Sequence, residues 1–577
     1  MFRQEPESDL PVKGSDGAPG RPASTTALRR RGVESVILVG AGLLFWWFEA
    51  LTGFSPTDDG FILAQSWRIM QGEVPHVDFT SPRPVGSGLL HLPVLLFPDG
   101  LLAISRLIVT AQLMWLAFCG VTLLESTTGR LLRWRPIWVL AAFVVNVGVW
   151  PVMAWHTIDG LFLGLTSFWL ADQAIRRGWS SWAWIPIWIL SGAAPLAKQG
   201  FMLVPLLVGV ACLIARERRA LWAMPLAFSP AVGYATWVRD APGGLGTALH
   251  SGSLGDILQP FRSAIGLVST PTGLVVVACI TLALGANVSN VGRGNPSVAV
   301  ATVASVLIPG ATMAAGWLQG FHIGRPWAYL PVLAVVMAGF SNWRLVWRSG
   351  WSMGVLSLSF ASSLSWGTTG PSLLAGTLIV WAIGLVLGDS RLPDSVDRVV
   401  ALTLVIGSLV SVIPTRHADV YGEGPASTLS SSAVGAPSLR LIRMSPQAAA
   451  YVDMVQTCVN RYPASWVAVS PDGAALYPIL RLRNPMPSDW RIAEETASND
   501  ALFLARTFAR LRSTEWLMLM QTYRLDTLSS QETELISVPR EELAALPEDI
   551  ALFNSLDGTP LVCGSLLGKY QYPSTRR

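Results

Sequence analysis

The chain has 577 residues, of which 51% are apolar and only 14% charged, and its mean hydropathy is +0.45. A soluble domain carries about 25% charged residues, so water is excluded as the main solvent. The net charge of +4 comes largely from Arg clusters between apolar runs, a pattern that orients a chain in a bilayer and excludes a nucleic-acid partner.

Residues 1–31 are rich in Pro, Gly, Ser and charge, lack periodicity and end in Arg29-Arg30-Arg31, which predicts a disordered cytoplasmic tail. The apolar run that follows ends in Phe45-Trp46-Trp47-Phe48 without a small-residue cleavage site, so it reads as a first span and not a signal peptide.

Directly after it comes Pro56-Thr57-Asp58-Asp59-Gly60-Phe61, then Gly72-Glu73-Val74-Pro75-His76-Val77-Asp78-Phe79 and Pro82-Arg83-Pro84, within a predicted outer loop over 54–98. Two adjacent carboxylates at a membrane surface are candidate proton acceptors, and crowding favours proton uptake by one of them unless a cation lies close. The alternative is that Asp58 caps the helix carrying Leu63, Trp67 and Met70, with Asp59 favourable at its positive end.

A spanning helix needs about 20 apolar residues. Roughly thirteen such segments fall within residues 32–414, starting near residues 33, 101, 136, 161, 182, 201, 221, 267, 298, 327, 353, 372 and 399. With the N-terminus inside, every inner loop is basic, from Arg130, Arg133 and Arg135 through Arg176 and Arg177 to Arg391 and Arg398. An odd number of spans then puts the outer loop and the tail on the same, outer side.

Four further outer-edge positions stand out. Asp159 lies in Trp155-His156-Thr157-Ile158-Asp159-Gly160, where a solvated turn is an equal reading. Lys198 lies in Lys198-Gln199-Gly200 and could meet a phosphate or snorkel from a helix end. Arg325 and His322 lie in Phe321-His322-Ile323-Gly324-Arg325-Pro326. Arg325 offers a fork for phosphate; His322 has no second ligand at helical spacing, so no metal site is expected.

Residues 415–577 lose the long apolar runs and gain charge, predicting an extracytoplasmic α/β domain. Ser445-Pro446 opens a helix, Trp466–Ser470 and Trp516–Met520 read as buried strands, Asn499–Arg512 as a second helix, and 560–572 as a closing strand pair. Cys119, Cys212 and Cys279 lie in apolar segments without CxxC spacing, whereas export of the tail would let Cys458 and Cys563 form a disulfide.

The Asp58-Asp59-Gly60 motif after the first span, followed by a helix and the spacing Gly72-x-x-Pro75-x-x-Asp78-Phe79, resembles the first loop of the GT-C glycosyltransferases, including the protein O-mannosyltransferase type and its bacterial relatives. Many relatives have Asp-Glu where this chain has Asp-Asp, and Tyr where it has His76. The resemblance implies a polytopic α-helical membrane fold with a polyprenyl-phosphate sugar as donor. It also implies an acceptor on an envelope glycan, lipid or protein, and inversion at the anomeric carbon. It makes Asp58 the base with Asp59 beside it, and Asp78, Asp159, Lys198, Arg325 and His322 substrate-binding residues. No cofactor is required by the motif, and a divalent cation is compatible with the carboxylates.

The competing functions are a transporter or lipid flippase, which should show ionisable residues within the spans and two similar halves, and a non-catalytic envelope-assembly scaffold. The charged residues instead gather at the outer rim, and no half of the chain resembles the other.

Overall fold

The computed structural model describes residues 25–241, 298–321, 326–341, 350–364, 370–387, 394–461 and 465–489, a few residues between 262 and 270, and strands at 516–520 and 567–570; residues 82, 130, 131, 133, 422, 434, 471 and 472 are left out. Helix α1 (Thr25–Phe45) continues through a wider turn, Trp46–Ala50. The loop over 54–98 is itself folded, with α2 (Phe61–Met70) and α3 (Gly86–His91). Then come α4 (Leu101–Thr128), α5 (Arg135–Val147), α6 (His156–Arg177), α7 (Trp184–Ala197), α8 (Val204–Ile214) and α9 (Ser229–Trp237).

From residue 298 onward come α10 (Val298–Leu318), α11 (Tyr329–Ser341), α12 (Trp351–Ser363), α13 (Ala375–Leu387) and α14 (Asp394–Ala418). The segment expected near 221 begins instead as a 3-10 helix, Arg218–Phe228, with Pro225 inside it. A proline interrupts the α-helical hydrogen-bond ladder, which fits the change of winding there. The segment expected near 267 lies outside the described residues.

Three described helices are long and apolar enough to cross a membrane: Gly32–Ala50, Leu101–Thr128 and Arg398–Ala418. Seven shorter apolar helices accompany them among the described residues. The surface they present decides their solvent. Val36 is 73% exposed and Val410 69%, and Leu44, Trp47 and Ile406 also face outward. Burying one such side chain is worth about 1.5–3 kcal/mol in water, so a ring of them facing outward is stable only where lipid replaces water. This is a membrane protein.

Inside the bundle, several polar groups tie helices together. Asn146 Nδ2 donates to Thr377 Oγ1 at 2.9 Å while Thr377 N donates to Asn146 Oδ1 at 3.0 Å, tying α5 to α13. Trp381 Nε1 donates to Gly120 O at 2.9 Å, tying α13 to α4. Hydrocarbon offers no competing partner, so such bonds hold helices together where apolar burial gives little drive.

Beyond α14 the chain forms α15 (Pro446–Arg461), the short α16 (Leu476–Leu480) and a three-stranded sheet. Strand β1 (Trp466–Ser470) pairs in parallel with β2 (Trp516–Met520), which pairs antiparallel with β3 (Leu567–Tyr570). Both expected strands therefore form, with Val467, Ala468 and Val469 of β1 buried. The helix expected over 499–512 and most of the closing strand pair lie outside the described residues, as does the pairing of Cys458 with Cys563.

Residues 437–489 clasp the loop over 54–98. Arg68 carries the strongest part of the clasp: its Nε donates to both Asp489 oxygens at 2.9 and 2.8 Å, Nη1 to Glu73 at 2.8 Å and Nη2 to Met486 O at 2.6 Å. Trp67 Nε1 donates to Leu482 O, Thr80 N to Pro487 O, and Gly100 N to Pro437 O. Arg443 N donates to Leu51 O and Gly53 N to Arg443 O, each at 2.8 Å.

Candidate active site

The two acidic residues of the loop have different surroundings. Asp58, Asp59 and Gly60 form a 3-10 turn, and the N-cap of α2 falls on Gly60, so neither carboxylate occupies the capping position. Ser55 Oγ accepts from Asp58 N at 3.1 Å, and Ser55 N donates to Asp59 Oδ2 at 2.9 Å, which closes the turn on itself. Gly60 has a packing reason: a Cβ there would sit 1.9 Å from the backbone of Ala475, whose N–H donates to Pro56 O at 2.8 Å.

Asp59 is 3% exposed and is held by Arg106 Nη2 at 3.0 and 2.8 Å. The same guanidinium donates to Ala50 O at 2.8 Å and Gly53 O at 2.7 Å, so it stitches the end of the first span to the acidic turn. Arg106 sits in the second turn of the apolar helix α4. An arginine in a membrane helix is a functional or structural signal in its own right, although its partner cannot be read from spacing. Asp58, in contrast, is partly exposed, and its Oδ2 accepts from Tyr421 Oη at 2.6 Å.

A second cluster lies beside the turn. The Phe61 ring packs against Trp155 at 5.6 Å and His156 at 6.2 Å between centroids, and Arg83 lies 6.0 Å from the same ring. His156 is buried, and neither ring nitrogen has a hydrogen-bond partner among the described residues. Lys198 is buried as well and donates to Thr157 Oγ1 at 3.2 Å. Burial, with repulsion from Arg83 added, holds its amine well below the usual lysine range. The snorkelling alternative does not describe this side chain, because its ammonium end points into protein and not water.

Asp159 is no solvated turn: it lies fully buried in the first turn of α6. Its Oδ1 accepts from Gln112 Nε2 at 2.8 Å and meets His91 Nε2 at 3.1 Å, while Oδ2 has no partner among the described residues. Trp155 is extended just before it, so the helix starts early enough to carry Asp159 inward. The structure thus brings Lys198 and the helix bearing Asp159 together, and adds His91, Gln112, His156 and Arg83 to them.

Other expected residues are elsewhere. Asp78 Oδ2 accepts from Val74 N at 2.7 Å, closing its own turn, and His76 meets Tyr234 Oη at 2.5 Å with a positive φ of 61°. His322 and Arg325 lie outside the described residues. Among the described residues no three His, Cys, Asp or Glu side chains are arranged to hold a metal ion.

Next to the acidic turn a cleft is lined by Glu49, Asp59, Arg106, Arg416, His417 and Tyr421, among others. Arg416 Nη1 donates to Gly148 O and Trp150 O at 2.8 Å each, and His417 Nε2 meets Glu49 at 2.9 Å. The cleft thus gathers the Asp59–Arg106 pair, the Glu49–His417 contact and Tyr421 on one surface.

No family model matches the chain, and no curated protein is similar to it. Among solved structures it is similar to ArnT from Cupriavidus metallidurans. The apo form is 13% identical over 85% of this chain and 93% of that one; the form bound to undecaprenyl phosphate is 14% identical over 86% and 94%. The TM-score is 0.39 in both cases.

Proposed function

We propose that the protein is a membrane glycosyltransferase of the GT-C kind, moving a sugar from a polyprenyl-phosphate donor to a hydroxyl of an envelope glycan, lipid or protein on the outer side. The observation that carries this reading is the division of labour in the acidic turn. Asp59 is committed to Arg106, whereas Asp58 is partly exposed and lies three residues before Phe61, whose ring Arg83 approaches to 6.0 Å.

In this reading Asp58 takes the proton of the acceptor hydroxyl. The acceptor oxygen bonds to the anomeric carbon from the face opposite the phosphate, the bond from that carbon to the phosphate oxygen breaks, and polyprenyl phosphate leaves with the electron pair. Lys198 and Arg83 stabilise the charge that gathers on the leaving group, where low dielectric strengthens the effect. Arg325 is a further candidate for the same phosphate. Asp159, fixed by His91 and Gln112, aligns the outer end of α6 so that His156 and Thr157 face Lys198. The N-terminus is inside and the tail outside.

The test is transfer of labelled sugar from a panel of polyprenyl-phosphate donors to membrane acceptors. Removing a general base costs about 10²–10⁴ in rate, so Asp58→Asn should lose transfer on that scale while remaining folded. Asp59→Asn should instead lose folded protein, because it leaves Arg106 buried without its counter-charge, at about 3–5 kcal/mol. Transfer that survives in Asp58→Asn would remove the assignment.

A further inference from the structure

The segment following α14 returns to the acidic turn, and it is fastened on both sides. Gly53 has φ +84°, and a Cβ there would come 2.5 Å from Val420 Cγ1, so the backbone passes as close as a glycine permits. Glu423 N donates to Val420 O at 2.9 Å, making a turn around Tyr421. The Glu423 carboxylate accepts from Ser445 N at 3.3 and 3.2 Å, and Ser445 Oγ in turn accepts from Ala448 N at 3.1 Å at the start of α15. Tyr421 is therefore held in place by its neighbours, yet its own side chain is 41% exposed, so burial in a core does not account for its position. Its hydroxyl reaches Asp58 Oδ2 at 2.6 Å across 363 positions of sequence. That length is typical of a hydroxyl donating to an ionised carboxylate.

We infer that Tyr421 is a positioning residue for transfer: its hydroxyl holds one oxygen of Asp58 and keeps the carboxylate ionised and aimed at the incoming acceptor. The inference rests on the glycosyl-transfer reading above. Tyr421 keeps its own proton throughout. The acceptor proton goes to the Asp58 carboxylate as the new glycosidic bond forms and the bond to phosphate breaks, so the tyrosine acts through Asp58 and not on the sugar. A donated hydrogen bond favours the charged carboxylate, so its loss should narrow the pH range in which Asp58 can accept a proton.

The experiment uses the full-length protein reconstituted with the polyprenyl-phosphate sugar that serves the native enzyme. Tyr421→Phe keeps the ring and should lower kcat about tenfold, leave KM for the donor unchanged and move the acid limb of the kcat profile to higher pH. Incorporating 3-fluorotyrosine at position 421 retains the hydroxyl as a stronger donor. It should restore kcat and move the acid limb to lower pH, which keeps the inference testable if Tyr421→Phe fails to fold. A Tyr421→Phe enzyme with native kcat and pH profile, alongside an inactive Asp58→Asn, would overturn the role of Tyr421 alone. Transfer retained by Asp58→Asn, or absent from the native protein with every donor, would instead overturn the glycosyl-transfer reading and this inference with it.

Discussion

Lys198 shows how one side chain can report on a ligand. Its amine is held below the usual lysine range, first by burial and then by Arg83. Between that lowered value and the unfolded value of about 10.4, the unfolded chain binds the proton and the folded one does not, so this residue makes stability rise with pH. A phosphate arriving beside it reverses the preference and draws a proton in. Binding of polyprenyl phosphate should therefore take up close to one proton and weaken as pH rises through this window, approaching tenfold per unit. Calorimetry in two buffers of different ionisation enthalpy measures the uptake. Lys198→Met should abolish it, and an uptake unchanged by that substitution would separate Lys198 from the phosphate.

At the scale of elements, the acidic turn is shaped from two distant directions. Arg106 in α4 fixes it on one side, and the turn before α16 fixes it on another through Ala475. Gly60→Ala tests the second contact, because its Cβ would sit 1.9 Å from the backbone of Ala475, an atom that no side-chain rotation can move. Overpacking of this kind costs about 1–3 kcal/mol. The expected result is a lower melting temperature together with reduced transfer, as Asp58 shifts with its turn. Gly407→Ala on α14 is the control, since a Cβ there meets nothing within 4 Å and should leave both unchanged. Equal behaviour of the two variants would mean that the clasp does not shape the site.

For the molecule as a whole, the proposed reaction requires the acidic turn and the post-membrane segment to share the outer side. A cysteine placed by Arg440→Cys, in a form lacking Cys458 and Cys563, should react with a membrane-impermeant thiol reagent in intact cells. One placed by Arg177→Cys, at the other end of α6, should react only after the membrane is opened. The reverse pattern would put the turn in the cytoplasm and remove the proposed donor geometry.

Much of this architecture is written locally. Apolar runs long enough for a bilayer, basic loops between them, the short strands at 466–470 and 516–520 and the paired carboxylates after the first span are all visible in residue order, because periodicity and charge placement depend on near neighbours. The fate of each carboxylate is not. Asp58 and Asp59 are chemically alike in the sequence, and only the folded chain gives Asp59 to Arg106 and Asp58 to Tyr421. Asp159 likewise reads equally as a second acidic site residue or a solvated turn until helix packing buries it between His91 and Gln112. Which partner each acid meets depends on contacts 47 and 363 positions apart, and such contacts exist only once the helices and the clasp have packed.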